Sequence, residues 1–197
     1  DEALLGDWTG EGTVQAGSFS PITRTFTLAG EANFFTVTFG IRGDRPIAGD
    51  WNGDGITDVG VYRPGTSTFL MRAANGTSTS LRFGQVGDVP VTGDWDGDGI
   101  TDVGVFTPAT ATFTTRTRAA TPVTTMVRYG ARGDLPVVAD WDGDGITDLG
   151  VWRPSTGTFR QRLVTDGKAR TVTVAYGRAR SAASVGTAAA AVDLRGP

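Results

Sequence analysis

Three nine-residue segments rich in aspartate recur along this chain, at residues 50–58, 94–102 and 140–148. Each has oxygen-bearing side chains at positions 1, 3, 5 and 9, and a glycine at position 6 that permits a sharp turn around one point. Ca²⁺ accepts six to eight oxygen ligands in flexible geometry, whereas Mg²⁺ demands a tight octahedron and tends to keep its waters. The spacing therefore predicts three calcium-binding loops.

In each loop we expect ligands from the side chains at positions 1, 3, 5 and 9, from the backbone carbonyl at position 7 and from one water. The alternative is an acidic, solvated turn that binds no metal. It is disfavoured because a plain turn needs one aspartate, whereas clustered carboxylates repel one another. The predicted ligands are Asp50, Asn52, Asp54, Ile56 and Asp58; Asp94, Asp96, Asp98, Ile100 and Asp102; and Asp140, Asp142, Asp144, Ile146 and Asp148.

The residues that follow each loop predict a strand rather than a helix. Position 12 is Val61, Val105 or Val151, so the bidentate glutamate that ends an EF-hand loop is missing. After position 9 the residues alternate as they do in a strand. We therefore expect these loops to join β-strands.

Composition limits the remaining chemistry. The 197 residues suit one domain or one repeat array, and they include no cysteine and no histidine. Disulfides, thiol chemistry, imidazole catalysis and the usual zinc or copper sites are thereby excluded. The 29 glycines and abundant threonines, with few strong helix formers before the last residues, predict an all-β fold.

The acidic residues are concentrated in the three loops. Eleven of the 21 aspartates and glutamates lie there, so three bound Ca²⁺ ions would change the formal net charge from −3 to +3. The acidity therefore does not indicate a basic partner. Seventeen of the 18 basic residues are arginines scattered along the chain, away from aromatic clusters, so we expect no nucleic-acid binding.

No targeting or membrane-spanning segment is predicted. Residues 1–5 are too short and acidic to be a signal peptide, and the alanine-rich residues 181–192 are too weakly apolar to cross a bilayer. We expect a chain that was already processed or that was excised from a longer protein.

An internal repeat of about 45 residues organises the chain. Asp7, Asp50, Asp94 and Asp140 start successive loops at steps of 43, 44 and 46 residues. Each unit reads as an apolar strand, the loop, a strand that ends before a proline, a Thr-Phe strand and a last strand before an aromatic-Gly pair. This pattern predicts a β-propeller-like array of four-stranded antiparallel blades. The predicted units are residues 1–44, 45–88, 89–134 and 135–180.

Both ends of the array are degenerate. In the first loop Thr9 and Gln15 stand at ligand positions and Glu11 is longer than aspartate, so we expect weak or no calcium binding there. Residues 181–197 can be aligned with the start of a fifth blade, with Arg195 in place of a ligand. The alternative is a frayed terminus or a linker.

These features resemble the FG-GAP/VCBS-type repeat family, which includes the calcium-binding blades of integrin α-subunit propellers and many bacterial secreted propellers. The resemblance covers residues 3–177 and is carried by the Asp-x-Asp/Asn-x-Asp-Gly-x-x-Asp loops and by Phe39, Phe83 and Tyr129, each 11 residues before a loop aspartate. It implies a β-propeller with calcium between the first and second strands of a blade. Family rings commonly have about seven blades, so four blades imply a small closed ring, part of a larger propeller, or a protomer that completes a ring by association.

Recurring aromatic and charged residues outside the ligand positions allow two interpretations. Aromatic residues at loop position 2 and in the following strand are expected to pack between blades, with sugar stacking as the alternative. Arg63 and Arg153 would be hydrogen-bond donors between blades or ligand contacts. The aromatic residues are Trp51, Trp95 and Trp141 in the loops, and Tyr62, Phe106 and Trp152 in the strands.

Two Arg-Gly-Asp tripeptides, at 42–44 and 132–134, correspond to Val-Gly-Asp at 86–88. Gly-Asp is therefore the repeat feature, and adhesion through Arg-Gly-Asp is disfavoured.

The sequence predicts a secreted, calcium-stabilised β-propeller that is not an enzyme. Without histidine or cysteine, and with the aspartates engaged as ligands, no nucleophile has an evident base. We expect a lectin-like or protein-binding module that recognises a glycan or an extracellular protein. The alternatives are a structural subunit of an extracellular assembly or filament, through self-association or further blades, and an accessory domain of a secreted hydrolase.

Overall fold

The computed structural model describes residues 1–30, 32–165 and 167–176, and the regular secondary structure in these ranges consists of β-strands. Sixteen strands form four antiparallel sheets, in which strands that are adjacent in sequence pair with each other. No helix in the described ranges is long and apolar enough to cross a membrane. The sheets are β1 (Glu2–Gly6), β2 (Gln15–Ser20), β3 (Thr25–Ala29) and β4 (Phe34–Thr38); β5 (Arg45–Gly49), β6 (Asp58–Arg63), β7 (Thr68–Arg72) and β8 (Ser78–Arg82); β9 (Val89–Gly93), β10 (Asp102–Thr107), β11 (Thr112–Arg116) and β12 (Thr124–Arg128); and β13 (Leu135–Ala139), β14 (Asp148–Arg153), β15 (Thr158–Thr165) and β16 (Lys168–Ala175).

The four sheets are the blades of a four-bladed β-propeller, which confirms the predicted fold class. The first strands of the blades lie side by side, with β5 beside β1, β9 beside β5 and β13 beside β9. Where these strands end they border one cavity of about 340 Å³, which residues from all four blades line. The first unit, despite its degenerate loop, forms a complete four-stranded blade.

The strands of each blade fall inside one sequence unit. The second strands β6, β10 and β14 end directly before Pro64, Pro108 and Pro154, as predicted. The strands of blades 1 to 4 lie within residues 1–44, 45–88, 89–134 and 135–180. Residues 181–197, for which a fifth-blade strand or a linker was predicted, lie outside the described residues.

Burial follows the position of a strand within its blade. The second strands β6, β10 and β14 are buried along most of their length and carry a nearly continuous apolar sequence such as Val59-Gly60-Val61, whereas β2 is mostly half-buried. The third strands β3, β7 and β11 alternate between buried and half-buried residues, as in β7, where Phe69 and Met71 are buried, whereas β15 is mostly half-buried. The fourth strands β8 and β12 are mostly exposed and rich in serine and threonine.

Among the described residues the hydrophobic core forms three clusters, each shared by two consecutive blades. In the second cluster, Trp51, Tyr62 and Phe69 of blade 2 pack against Val103 and Val105 of blade 3. The same relation joins blade 1 to blade 2 and blade 3 to blade 4. Aromatic residues of blades 2 and 3 thus cover apolar residues of the next blade, which confirms packing between blades for Trp51, Trp95, Tyr62 and Phe106. Trp141 and Trp152 of blade 4 belong to none of the three clusters found in the described residues.

A pair of hydrogen bonds also joins consecutive loops, and we call this pair the latch. The N–H of Asp50 donates to Oγ1 of Thr101 at 2.9 Å, and the N–H of Thr101 donates to the carbonyl of Asp50 at 2.7 Å. The latch links loop position 1 of one blade to position 8 of the next. Identical pairs join Asp7 to Thr57 and Asp94 to Thr147.

The latch requires a glycine before position 1. A Cβ on Gly93 would lie 2.6 Å from Cγ2 of Thr147, which is closer than two carbon atoms can approach. Gly6 and Gly49 face Thr57 and Thr101 in the same way. The glycine therefore makes room for the threonine of the following blade.

The junction between blade 4 and blade 1 lacks both latch residues. Blade 4 has Ala139 where the other blades have glycine, and position 8 of the first loop is Val14, which has no hydroxyl group. None of the three core clusters combines residues of blade 4 and blade 1 in the described part of the chain. This junction differs from the other three in sequence and in packing.

Candidate metal centres

Each aspartate-rich segment connects the first and second strands of its blade, which is the location that the family resemblance implies. The carboxylate at position 1 folds the loop by accepting backbone N–H groups. In blade 2, Oδ1 of Asp50 accepts the N–H of Gly53 at 2.6 Å, and Oδ2 accepts that of Gly55 at 2.7 Å. Both glycines have positive φ angles, of 78° and 83°, which residues with a side chain rarely adopt. The other three loops repeat both bonds.

Carboxylates at positions 1, 3 and 9 converge in two loops. Asp94, Asp96 and Asp102 each offer an oxygen, and these three oxygens lie within 4.8 Å of one another. The corresponding group in blade 4 consists of Asp140, Asp142 and Asp148. Oxygens at this spacing could share one cation.

Position 5 is not part of these groups. Oδ1 of Asp98 accepts the N–H of Ile100 at 2.8 Å, and Asp144 and Ile146 form the same bond at 2.8 Å. The carboxylate at position 5 therefore braces the residue whose backbone carbonyl is a predicted ligand.

The loop of blade 2 differs at position 3. Asn52 replaces aspartate there, and its Nδ2 donates to Oδ2 of Asp54 at 2.9 Å. Oδ1 of Asp54 accepts the N–H of Ile56 at 2.9 Å, as in the other loops. The predicted donors Asp50, Asn52, Asp54 and Asp58 thus include one amide and three carboxylates.

The carboxylate at position 9 is the most buried of the predicted ligands in each loop. The pKa of Asp102 is raised to about 7, mainly by burial and also by the neighbouring charges of Asp96 and Asp98, against hydrogen bonds from the N–H groups of Trp95 and Arg118 that lower it. Burial likewise raises the pKa of Asp58 to about 6 and that of Asp148 to about 6. These carboxylates are desolvated among like charges, and a cation would relieve that energetic cost.

The tryptophan at position 2 holds the position 9 carboxylate through a hydrogen bond from its backbone N–H. The N–H of Trp51 donates to Oδ2 of Asp58 at 3.2 Å, and its indole Nε1 donates to the carbonyl of Val59 at 3.0 Å. Trp95 makes the same two bonds in blade 3. The indole is therefore a packing and hydrogen-bonding group that points away from the ligand oxygens.

The loop of blade 1 keeps its shape with different contacts. Gln15 stands at position 9, and its Oε1 accepts the N–H of Trp8 at 2.7 Å, as the aspartates do elsewhere. Its Nε2 donates to Oγ1 of Thr9, at position 3, at 2.6 Å. Positions 3 and 9 of this loop thus offer no carboxylate, and weak or no calcium binding there remains the expectation.

The donors of the other three loops fit a hard divalent cation. They are all oxygens, several of them charged, and each loop places at least one buried carboxylate beside more exposed ones. The residues that would hold the ion are those predicted at positions 1, 3, 5, 7 and 9.

The aspartates of the two Arg-Gly-Asp tripeptides are structural. Asp44 and Asp134 are only 3% and 4% exposed. Nε and Nη2 of Arg63 donate to the two carboxylate oxygens of Asp44, both at 2.9 Å, and Arg153 holds Asp134 in the same way. These carboxylates are engaged within the fold and are not available to another protein.

Comparisons with known proteins add little to this description. The sequence matches no family model and no curated protein. A similar fold occurs in the crystal structure of BBS1N in complex with ARL6DN, soaked with lead, with 12% sequence identity and a TM-score of 0.46. The match covers 86% of this chain and 55% of that one, so this chain spans about half the length of the structure it resembles.

Sequence reasoning missed the threonine at position 8 and Arg118. The threonine had a signal, because position 8 is threonine in loops 2 to 4 and valine only in loop 1. Arg118 had no signal, because it occurs in one blade and its contacts are made across a blade boundary.

Proposed function

We propose that this chain is a calcium-stabilised, extracellular β-propeller module of the FG-GAP/VCBS type, with one Ca²⁺ in the loop of each of blades 2, 3 and 4. The observation that carries the proposal is the convergence of three carboxylates within 4.8 Å around the buried Asp102 and, in blade 4, around Asp148. Such an arrangement is costly without a cation.

The proposed role of the ion is to hold neighbouring blades together. Loops 1, 2 and 3 each touch the next loop through the latch, and Ile100 of loop 3 lies against Gly53 of loop 2. When bound, calcium supplies the positive charge that lets the loop carboxylates stay ionised and close together. Each site would then stabilise the folded protein by RT ln(1 + [Ca²⁺]/Kd), and extracellular modules commonly bind with Kd of about 10⁻⁴–10⁻³ M.

Thermal melting of the metal-stripped protein tests the proposal. We expect the melting temperature to rise steadily as calcium is added from micromolar to millimolar concentrations, and Mg²⁺ at equal concentration to act more weakly. Asp96→Asn is the matched variant, since it removes one exposed ligand charge from loop 3 and should reduce the gain. A melting temperature that does not respond to calcium would refute the proposal.

The partner is proposed to be a glycan or an extracellular protein, and the binding surface is the aromatic face of blade 4. Trp152 and Phe159 have ring centroids 4.5 Å apart, Phe159 and Tyr176 are 6.1 Å apart, and Tyr176 is 71% exposed. Partly exposed aromatic faces suit sugar stacking. Saturable binding on a glycan array that Trp152→Ala abolishes would support recognition.

Self-association is the second candidate, because the equivalent aromatic residues of blades 2 and 3 are covered by a neighbouring blade. Light scattering at rising protein concentration separates the two candidates. Assembly that Trp152→Ala prevents, without glycan binding, would favour a structural subunit or the docking of further blades. A role as an accessory, non-enzymatic domain of a secreted hydrolase would require a catalytic region in the same protein.

A further inference from the structure

Arg118 joins the loops of two neighbouring blades. It follows β11 in blade 3, and its Nη1 donates to the carbonyl of Trp51, at position 2 of loop 2, at 2.9 Å. The same nitrogen lies 3.4 Å from the carbonyl of Thr101, at position 8 of loop 3. Its backbone N–H donates to Oδ1 of Asp102. One arginine thus contacts both loops and a predicted ligand.

Carboxylates of both loops act electrostatically on this guanidinium group. Burial lowers the pKa of Arg118, whereas the charges of Asp102, Asp50, Asp58 and Asp98 act in the opposite direction. A guanidinium group stays protonated at any pH at which the protein is folded, so its positive charge is permanent. Loops 2 and 3 therefore already share one fixed cation.

Blades 2 and 4 have no arginine at the equivalent position. In blade 2 the equivalent position is Ala74, whose N–H donates to Asp58 as that of Arg118 does to Asp102, but whose side chain carries no charge. In blade 4 the equivalent position is Val164, because β15 continues through it. Loop 4 therefore has four aspartates at its predicted ligand positions and no arginine at the position that Arg118 occupies in blade 3.

We propose that Arg118 is a built-in counter-ion of loops 2 and 3, which stabilises them without metal and weakens their calcium affinity relative to loop 4. This inference rests on the proposed calcium function. Its physical basis is that the guanidinium group attracts the same carboxylates that would bind the ion and repels the ion itself. Loop 4 should therefore fill at a lower calcium concentration than loops 2 and 3.

Arg118→Gln tests the proposal, because glutamine keeps a donor for the Trp51 carbonyl and removes the charge. Calorimetric titration of the metal-stripped protein with CaCl₂ should show about three- to tenfold tighter binding at two of three sites, the effect of one partly screened unit charge. The melting temperature without calcium should fall. Arg128→Gln is the matched control, since it makes the same charge change on the exposed outer strand of the same blade and should leave affinities within about twofold.

The outcomes separate this inference from the proposed function. A wild-type protein that binds no calcium refutes both, whereas three bound ions with unchanged affinities in Arg118→Gln refute only the role of Arg118. Weaker binding in Arg118→Gln would also overturn it, because Arg118 would then support the sites.

A second pair of variants tests the order of filling if Arg118→Gln does not fold. Asp142→Asn and Asp96→Asn remove the same exposed ligand at position 3 from loops 4 and 3. Asp142→Asn should eliminate the tightest binding event, and Asp96→Asn a weaker one. The reverse order would contradict the proposal.

Discussion

Two opposing effects act on the pKa of the aspartate at position 9 in the loops of blades 2, 3 and 4. Its oxygens accept backbone N–H groups, in loop 3 from Trp95 and Arg118, which favours the charged form. Its burial and the nearby loop carboxylates favour the protonated form, and at Asp102 they prevail, with a pKa of about 7. Either a proton or a bound cation can therefore offset the cost of burying this carboxylate near other negative charges.

The metal-free protein should therefore lose stability as pH rises from about 4 to about 7. Asp102 binds its proton more tightly in the folded than in the unfolded chain, so its stabilising contribution is present below its unfolded pKa and is lost as pH rises through its folded pKa. Urea unfolding of metal-stripped protein at several pH values measures this. The matched variant Asp102→Asn cannot titrate there, and its stability should fall less over the same window.

Equal pH dependence of the wild type and Asp102→Asn would show that Asp102 titrates normally when the loop is empty. Saturating calcium provides a further control. It should reduce the pH dependence of the wild type, because the ion competes with the proton for the same oxygens.

At the level of elements, the latch explains why three successive units end their first strand in glycine. The threonine of the next loop occupies the space of the missing side chain, and its hydroxyl accepts the N–H of the loop aspartate. The latch thereby fixes the position of each of these loops relative to the next blade. Hydrogen bonding, apolar packing and the metal ligands all meet at the same inter-blade boundary.

Gly93→Ala should destabilise the protein by about 2–4 kcal/mol, because the new Cβ would collide with Thr147 and force blade 4 away from blade 3. Ala139→Gly is the matched control at the equivalent position of blade 4. It should change stability by no more than about 1 kcal/mol. Urea unfolding measures both, and equal effects of the two substitutions would show that the close approach to Thr147 is unimportant.

Much of this organisation was predictable from sequence, because repetition makes each unit a test of the others. The ends of β6, β10 and β14 follow from the prolines after them, and the loop positions follow from the aspartate spacing. The bidentate pair between Asp44 and Arg63 was not predictable, because it depends on the register of β5 against β6, which places residues 19 positions apart opposite each other. The shifted pKa of Asp102 also required the structure, since its main cause is burial in the folded chain.

At the scale of the whole molecule, the three boundaries between consecutive blades are alike, and the boundary between blade 4 and blade 1 differs from them. Blades 1 to 4 are linked by aromatic-on-valine packing and by the latch, whereas Val14 and Ala139 replace the latch residues between blade 4 and blade 1. Trp152 and Phe159, whose counterparts in blade 3 are fully buried, are only partly buried in blade 4. These two rings belong to the surface proposed for partner recognition.

If calcium occupies three of the four loops, anomalous scattering from crystals grown in millimolar CaCl₂ should reveal the ions. We expect three anomalous peaks, each beside the position 9 carboxylate at Asp58, Asp102 or Asp148, and none beside Gln15. Loops of blades 2 to 4 without any peak, or a peak in the loop of blade 1, would refute this assignment of calcium.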